Sequence, residues 1–260
     1  MQPISDPGTL NFFPGAKDVF HENLEMHSKY FLPLLSFDAS KVDPSLDHPL
    51  HFVMPTESFN DCVGELSIEF HTEYCMCNWI GFDVRDGKYS FQADERFFDE
   101  KRISVDPGFL KGKFPNFPPY EQKYPIELAK NLAKARENYA IFKQEFLDKK
   151  RQEKFENWQD YMHLGSYPED SNWAYGRKMD LEDVKLDISP EDQVARWGGS
   201  AADFDDYVTT NYPLTRDGRR FIYLGAINAH LFNYEFTGWD SILLFYDPVS
   251  KVALTTFDYT

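Results

Sequence analysis

The chain has 260 residues, with 43 Asp and Glu against 27 Lys and Arg, for a formal charge of −16 at pH 7. Phe, Tyr and Trp make up 17% of it, which excludes a disordered acidic tail, because such segments lack the rings needed to build a core. The negative charge repels nucleic acid and anionic lipid and draws in cationic partners, so neither a direct nucleic-acid ligand nor a membrane is an expected partner.

With 24 Phe, 15 Tyr and 5 Trp, core and interface should be built from rings rather than aliphatic chains. The segment Met1 to Thr9 has no basic stretch followed by an apolar one, and no run approaches the roughly 20 apolar residues of a membrane span. The expectation is a cytoplasmic protein. The odd set Cys62, Cys75 and Cys77 then reads as reduced thiols, and no cofactor or metal is called for.

In chain order, Phe20, Leu24, His27 and Phe31 recur at helical spacing and predict an amphipathic helix over 16–31, flanked by Pro-rich loops. Glu65, Ser67, Glu69, His71 and Glu73 alternate with Leu66, Ile68 and Phe70, which predicts a half-exposed strand. A second strand is expected over 74–84, and Asp86-Gly87 before Tyr89 marks a tight hairpin, with the meander ending near Ala93. Between 107 and 124, prolines and glycines interleave with Phe109, Phe114, Phe117, Tyr120 and Tyr124, which reads as an extended strap packing its rings on the body. Pro125 then suits the first turn of a long helix with the stripe Leu128, Leu132, Ala135, Tyr139, Phe142 and Phe146. That stripe fits either a partner helix or the protein's own sheet, the latter being the commoner outcome. It changes phase before Phe155, Trp158 and Met162, where a kink or a second helix is expected. Residues 220–231, 241–246 and 252–259 read as strands, with a turn at 247–250.

The fold class is therefore α+β, antiparallel sheets with a long helix packed against them. The organisation expected is an N-terminal α+β lobe over 1–106, the strap over 107–124, and the helix with a C-terminal β-rich lobe over 125–260, or else one domain. The stretch Asp217 to Asn228, followed by Gly238 to Asp247 and preceded by Gly198-Gly199, resembles the C-terminal part of the YwqG-like family of uncharacterised bacterial proteins, with Ala226 where that family usually has Gln. The resemblance covers about a quarter of the chain. It implies a compact α+β fold with pseudo-repeated sheets and no catalytic residues to transfer. An acidic chain without an export signal is also similar in character to bacterial immunity proteins.

Candidate chemistry is sparse. Glu69, His71 and Glu73, continued by Cys75 and Cys77, are too widely spaced along one strand face, about 6–7 Å, to share a zinc ion, and read instead as a charged face that discourages edge pairing. Asp203-Phe204-Asp205-Asp206 opens like a calcium loop, but Val208 and Leu214 stand where Gly and Glu are needed. His163, His230 and Asp240 are available for a triad, and His71 for Cys75 or Cys77, yet there is no nucleophile elbow and no phosphate loop, so no catalytic residue is assigned. The stretch 169–206 is the most acidic and carries Trp173 and Trp197. The expected function is an immunity or antitoxin-type protein that occludes a basic toxin, with Glu191, Asp192, Asp203, Asp205 and Asp206 as charge anchors and Trp173 and Trp197 as buried rings at the interface. A hydrolase with paired carboxylates beside Trp173 or Trp197 and a YwqG-like scaffold are the alternatives.

Overall fold

The computed structural model describes residues 9–57, 62–113, 118–148, 162–165, 180–186, 189–197, 199–205, 208–229, 232 and 241–258. Two sheets carry the body. The first has three antiparallel strands in the order β1 (Leu10–Phe12), β2 (Phe31–Asp38), β3 (Pro49–Pro55). The second has six, in the order β5 (Lys88–Phe91), β4 (Trp79–Arg85), β11 (Val252–Asp258), β10 (Ser241–Asp247), β9 (Ile222–Asn228), β6 (Met162–Leu164). A separate ribbon pairs β7 (Leu181–Leu186) with β8 (Val208–Pro213). Strands from either side of residues 107–124 thus share one sheet. The α+β class stands, with antiparallel pairing throughout the named strands.

The nearly continuous apolar run of β10 follows from burial on both faces. Ile242, Leu244 and Tyr246 join the main core with β2, β3 and β4, whereas Leu243 and Phe245 join a second cluster with Trp79, Tyr223, Leu254 and Tyr212. Rings dominate the main core: Phe31 meets Phe82, Phe91 and Phe98 at centroid distances of 5.1, 5.2 and 5.4 Å, and Tyr30 stacks on Phe98 at 4.2 Å. Within the stretches 217–228 and 238–247, β9 and β10 pair with each other, while Gly198 and residues 238–240 lie outside the described residues.

The hairpin at Asp86-Gly87 is present: both residues have positive φ, 51° and 72°, the geometry that matches strand twist in a two-residue turn. The long helix is also present, as α5 (Pro118–Leu147), after α1 (Ala16–Val19), α2 (Leu24–Tyr30), α3 (Asp99–Val105) and α4 (Phe109–Lys113). Its stripe packs inward. Tyr124, Leu128 and Leu132 cover Leu66, Phe109 and Leu110, while Tyr139 and Phe146 contact Phe13 at 5.6 and 5.5 Å.

Several expectations are corrected. The helix over 16–31 is two short helices, because Asn23 takes a left-handed φ of 50° and Phe31 already belongs to β2. The Pro-rich flanks contain strands rather than loops. Pro33 sits where the β2–β3 register shifts, so its missing donor is tolerated, and Pro49 and Pro55 terminate β3. Residues 65–73 form no strand; they make a 3-10 turn, Ile68–Phe70, held by the Ser67 hydroxyl on the Phe97 carbonyl at 2.6 Å and His71 Nε2 on Gly64 O at 2.7 Å. The strand expected over 74–84 begins only at Trp79. Where described, the strap is helical: α4 occupies 109–113 and α5 begins at Pro118, since prolines in a first turn lack only donors that have no partner there, and Pro125 lies inside the helix. Met162 belongs to β6, and the kink expected before it lies outside the described residues.

Candidate functional site

The acidic stretch is organised around α6 (Pro190–Trp197). Ser189 precedes it, its carbonyl accepting the Gln193 backbone N–H at 2.9 Å, Pro190 takes the first position, and Glu191 complements the positive end of the helix dipole. Gln193, 3% exposed, turns inward, and its Nε2 donates to the Asp205 carbonyl at 2.5 Å. Gly199, at φ 86°, makes the left-handed turn out of the helix into a 3-10 turn at Ala201–Asp203.

The fold therefore brings together Glu191, Asp192, Trp197, Asp203 and Asp205 on one short helix and the turn clamped to it. Glu191 and Asp205 are exposed, and among the described residues neither has an ion-pair partner. Asp192, Trp197 and Asp203 are placed by their backbone; Trp173 and Asp206 lie outside the described residues. On the neighbouring ribbon, Glu182 is already engaged by Arg220 at 2.8 Å, which holds its carboxyl below the usual range.

A second polar feature lies on the three-stranded sheet. Two clefts, of about 560 and 500 Å³, flank the segment Asp47–Pro49 and share its three residues. The smaller is lined by Asn11 of β1, Ser36 of β2 and His51 of β3, with Asp18, Asp38 and His48. Strand register explains the first three: Asn11 pairs with Ser36, and Ser36 pairs with His51, forming one polar row across the sheet. Ser36 Oγ lies 2.6 Å from His51 Nδ1, and His51 Nε2 lies 2.6 Å from the Gly87 carbonyl at the hairpin tip. A carbonyl only accepts, so Nε2 bears the proton, Nδ1 presents its lone pair, and the Ser36 hydroxyl donates to it. Burial pushes the imidazole pKa down to about 4, keeping it neutral. Tyr89 supports the ring edge-on at 4.9 Å.

His48 Nδ1 donates to the Asp47 carboxylate at 2.9 Å, its ring stands edge-on to Tyr246 at 5.3 Å, and its buried Nε2 has no hydrogen-bond partner among the described residues. Gly87 is required where it is: a Cβ there would stand 2.8 Å from Pro49. The only signal in the sequence was one polar residue in each of two apolar runs, Phe31–Phe37 and Leu50–Met54.

The other candidates have structural work. Glu57 and Asp99 are paired buried carboxyls, but Glu57 accepts the backbone N–H groups of Asp99 and Glu100 at the start of α3, and Tyr124 of α5 donates to Asp99 at 2.5 Å. Burial, followed by the Asp99 charge, raises the Glu57 pKa well above the usual carboxyl range. Glu69 pairs with Arg102 at 2.8 Å. Cys62, Cys75 and Cys77 form no disulfide among the described residues, and burial pushes the Cys75 thiol up to about 12, which keeps it un-ionised despite the Gly81 amide on its sulfur at 3.3 Å. His163 is exposed on β6, whereas His230 and Asp240 lie outside the described residues. Among the described residues no group of three His, Cys, Asp or Glu side chains is placed to hold a metal, and no helix is long and apolar enough to cross a membrane. No family model, no curated protein and no solved structure matches the chain.

Proposed function

We propose that the protein is an immunity or antitoxin-type binder that acts stoichiometrically in the cytoplasm, seating the acidic α6 surface in the cationic cleft of a basic toxin. The observation that carries this reading is the clamp between Gln193 and the Asp205 carbonyl, which holds exposed carboxylates, without an ion-pair partner among the described residues, on a helix and its following turn. A toxin acting on nucleic acid presents cations where the phosphates bind. Fixed carboxylates complement that field and speed encounter, and they lose little conformational entropy because the turn is already ordered.

The test is co-expression with cytoplasm-acting basic toxins encoded beside this gene, followed by calorimetry on the purified pair. Protection of the cell and a complex that weakens by about 1–4 kcal/mol in Asp205→Lys or Glu191→Lys are the expected results. Failure to protect against any of them, with no complex formed, would overturn the proposal.

A further inference from the structure

We infer that Ser36 and His51 form a nucleophile and general-base pair for acyl transfer, acting on neutral or cationic carboxylic esters that enter the cleft over β1–β3. This site is built from elements other than α6 and goes beyond the binding reading.

The first argument is placement. Residues Phe31–Phe37 and Leu50–Met54 are buried and apolar apart from Ser36 and His51, and although His51 Nε2 serves the Gly87 carbonyl, the Ser36 hydroxyl on Nδ1 forms a bond whose replacement by apolar groups of the same shape can be nearly neutral for folding. A polar pair confined to one register position, at the edge of an open cleft, therefore points to chemistry. The second argument is orientation. The Gly87 carbonyl fixes the tautomer in which Nδ1 faces Ser36, so the base is aimed at the hydroxyl and its far side is braced, the arrangement a serine nucleophile needs. The third is access: Ser36, 8% exposed, and His51, 2% exposed, line the same 500 Å³ cleft, which is of a size to hold a small ligand. Asn11, opposite Ser36 on its other side, supplies a carboxamide for the developing oxyanion.

Charge selects the substrate. Asp18, Asp38 and Asp47 stand around the opening, which disfavours anionic esters. Burial opposes the imidazolium formed during reaction, as do His48 and Lys88, while the Gly87 carbonyl and Asp18 favour it. In the first step Ser36 Oγ bonds to the ester carbon and its proton passes to His51 Nδ1. The carbon–oxygen bond to the alcohol then breaks, and the alcohol leaves with that proton. Water adds to the acyl-serine, its proton moving to Nδ1 and then to Ser36 Oγ as the carboxylic acid departs. The sum is ester plus water giving acid plus alcohol.

The experiment is labelling of the full chain with an uncharged alkyl fluorophosphonate, which captures an activated serine, followed by peptide mass mapping. One adduct is expected, on Ser36, with its rate falling about a hundredfold or more in His51→Gln and the adduct disappearing in Ser36→Ala. The site map on the unaltered protein keeps the test decisive even if a variant does not fold. No adduct on Ser36, an adduct only on other serines, or a folded His51→Gln protein labelled at the original rate would each overturn the inference.

Discussion

The Ser36–His51 pair and the α6 surface are both polar, yet they are held by opposite means. Ser36 and His51 are buried side chains whose positions follow from strand register, with every hydrogen bond short and specific. Glu191 and Asp205 are exposed side chains whose position follows from backbone placement, through a helix cap and one buried glutamine. In the first region the polar atoms are part of what keeps the strands in register; in the second they are carried by a helix and turn that other contacts hold. Removing a side chain should therefore disturb stability in the first and only recognition in the second.

The strongest way to break this comparison is His51→Ala. It leaves the Gly87 carbonyl and the Ser36 hydroxyl without their partner and opens a void beside Tyr89, so a loss of about 2–4 kcal/mol is expected in denaturant unfolding. Ser36→Ala removes one donor and should cost about 1 kcal/mol, and the double variant should be non-additive because the two share one bond. Additive losses would show that the pair does not act as a unit.

Acid sharpens it. The folded-state pKa of His51 is depressed from 6.5 to about 4, so between those values the unfolded chain binds more protons and folding loses stability as pH falls. Its contribution is fully present above about pH 6.5 and gone below about pH 4, an interval of about 3 kcal/mol. His27, also lowered by burial, adds a loss of the same sign, whereas Glu57, raised by burial and Asp99, has the opposite effect. Both are retained in His51→Gln, as are Asp18, His48 and Lys88 around the ring, so the stability gap between the two proteins isolates this imidazole. That gap should close as pH falls from 6.5 to 4, and a constant gap would mean the ring is already charged in the fold.

What could be read from the chain beforehand follows the same division between local and remote causes. Asp86-Gly87 was legible because the turn is written in two adjacent residues, and the α5 stripe and β9–β11 because periodicity and apolar runs are local patterns. The alternation from Glu65 to Glu73 misled because contacts from Ser67 to Phe97 override it with a 3-10 turn, and Asn23 breaks a periodic helix by a single left-handed residue. Ser36 and His51 are 15 residues apart and meet only through a register that shifts at Pro33, which no local pattern announces. On α6, acidity was readable from composition; the glutamine that fixes the surface was not, because its partner is the backbone of Asp205, 12 residues on.

The smallest expected effect on stability falls on that surface. Glu191→Ala and Asp205→Ala remove exposed carboxylates with no ion-pair partner among the described residues, so each should change unfolding free energy by less than about 0.5 kcal/mol. Thermal melts of the two variants check this directly. Any cationic partner should nonetheless associate more slowly with them, and the difference should shrink as salt rises, because exposed charges act through a field screened over about 10 Å at 0.1 M ionic strength. A variant that lost stability here would mean that the carboxylate belongs to the fold, as His51 does, and the contrast between a surface that is carried and a pair that is built in would fail at that residue.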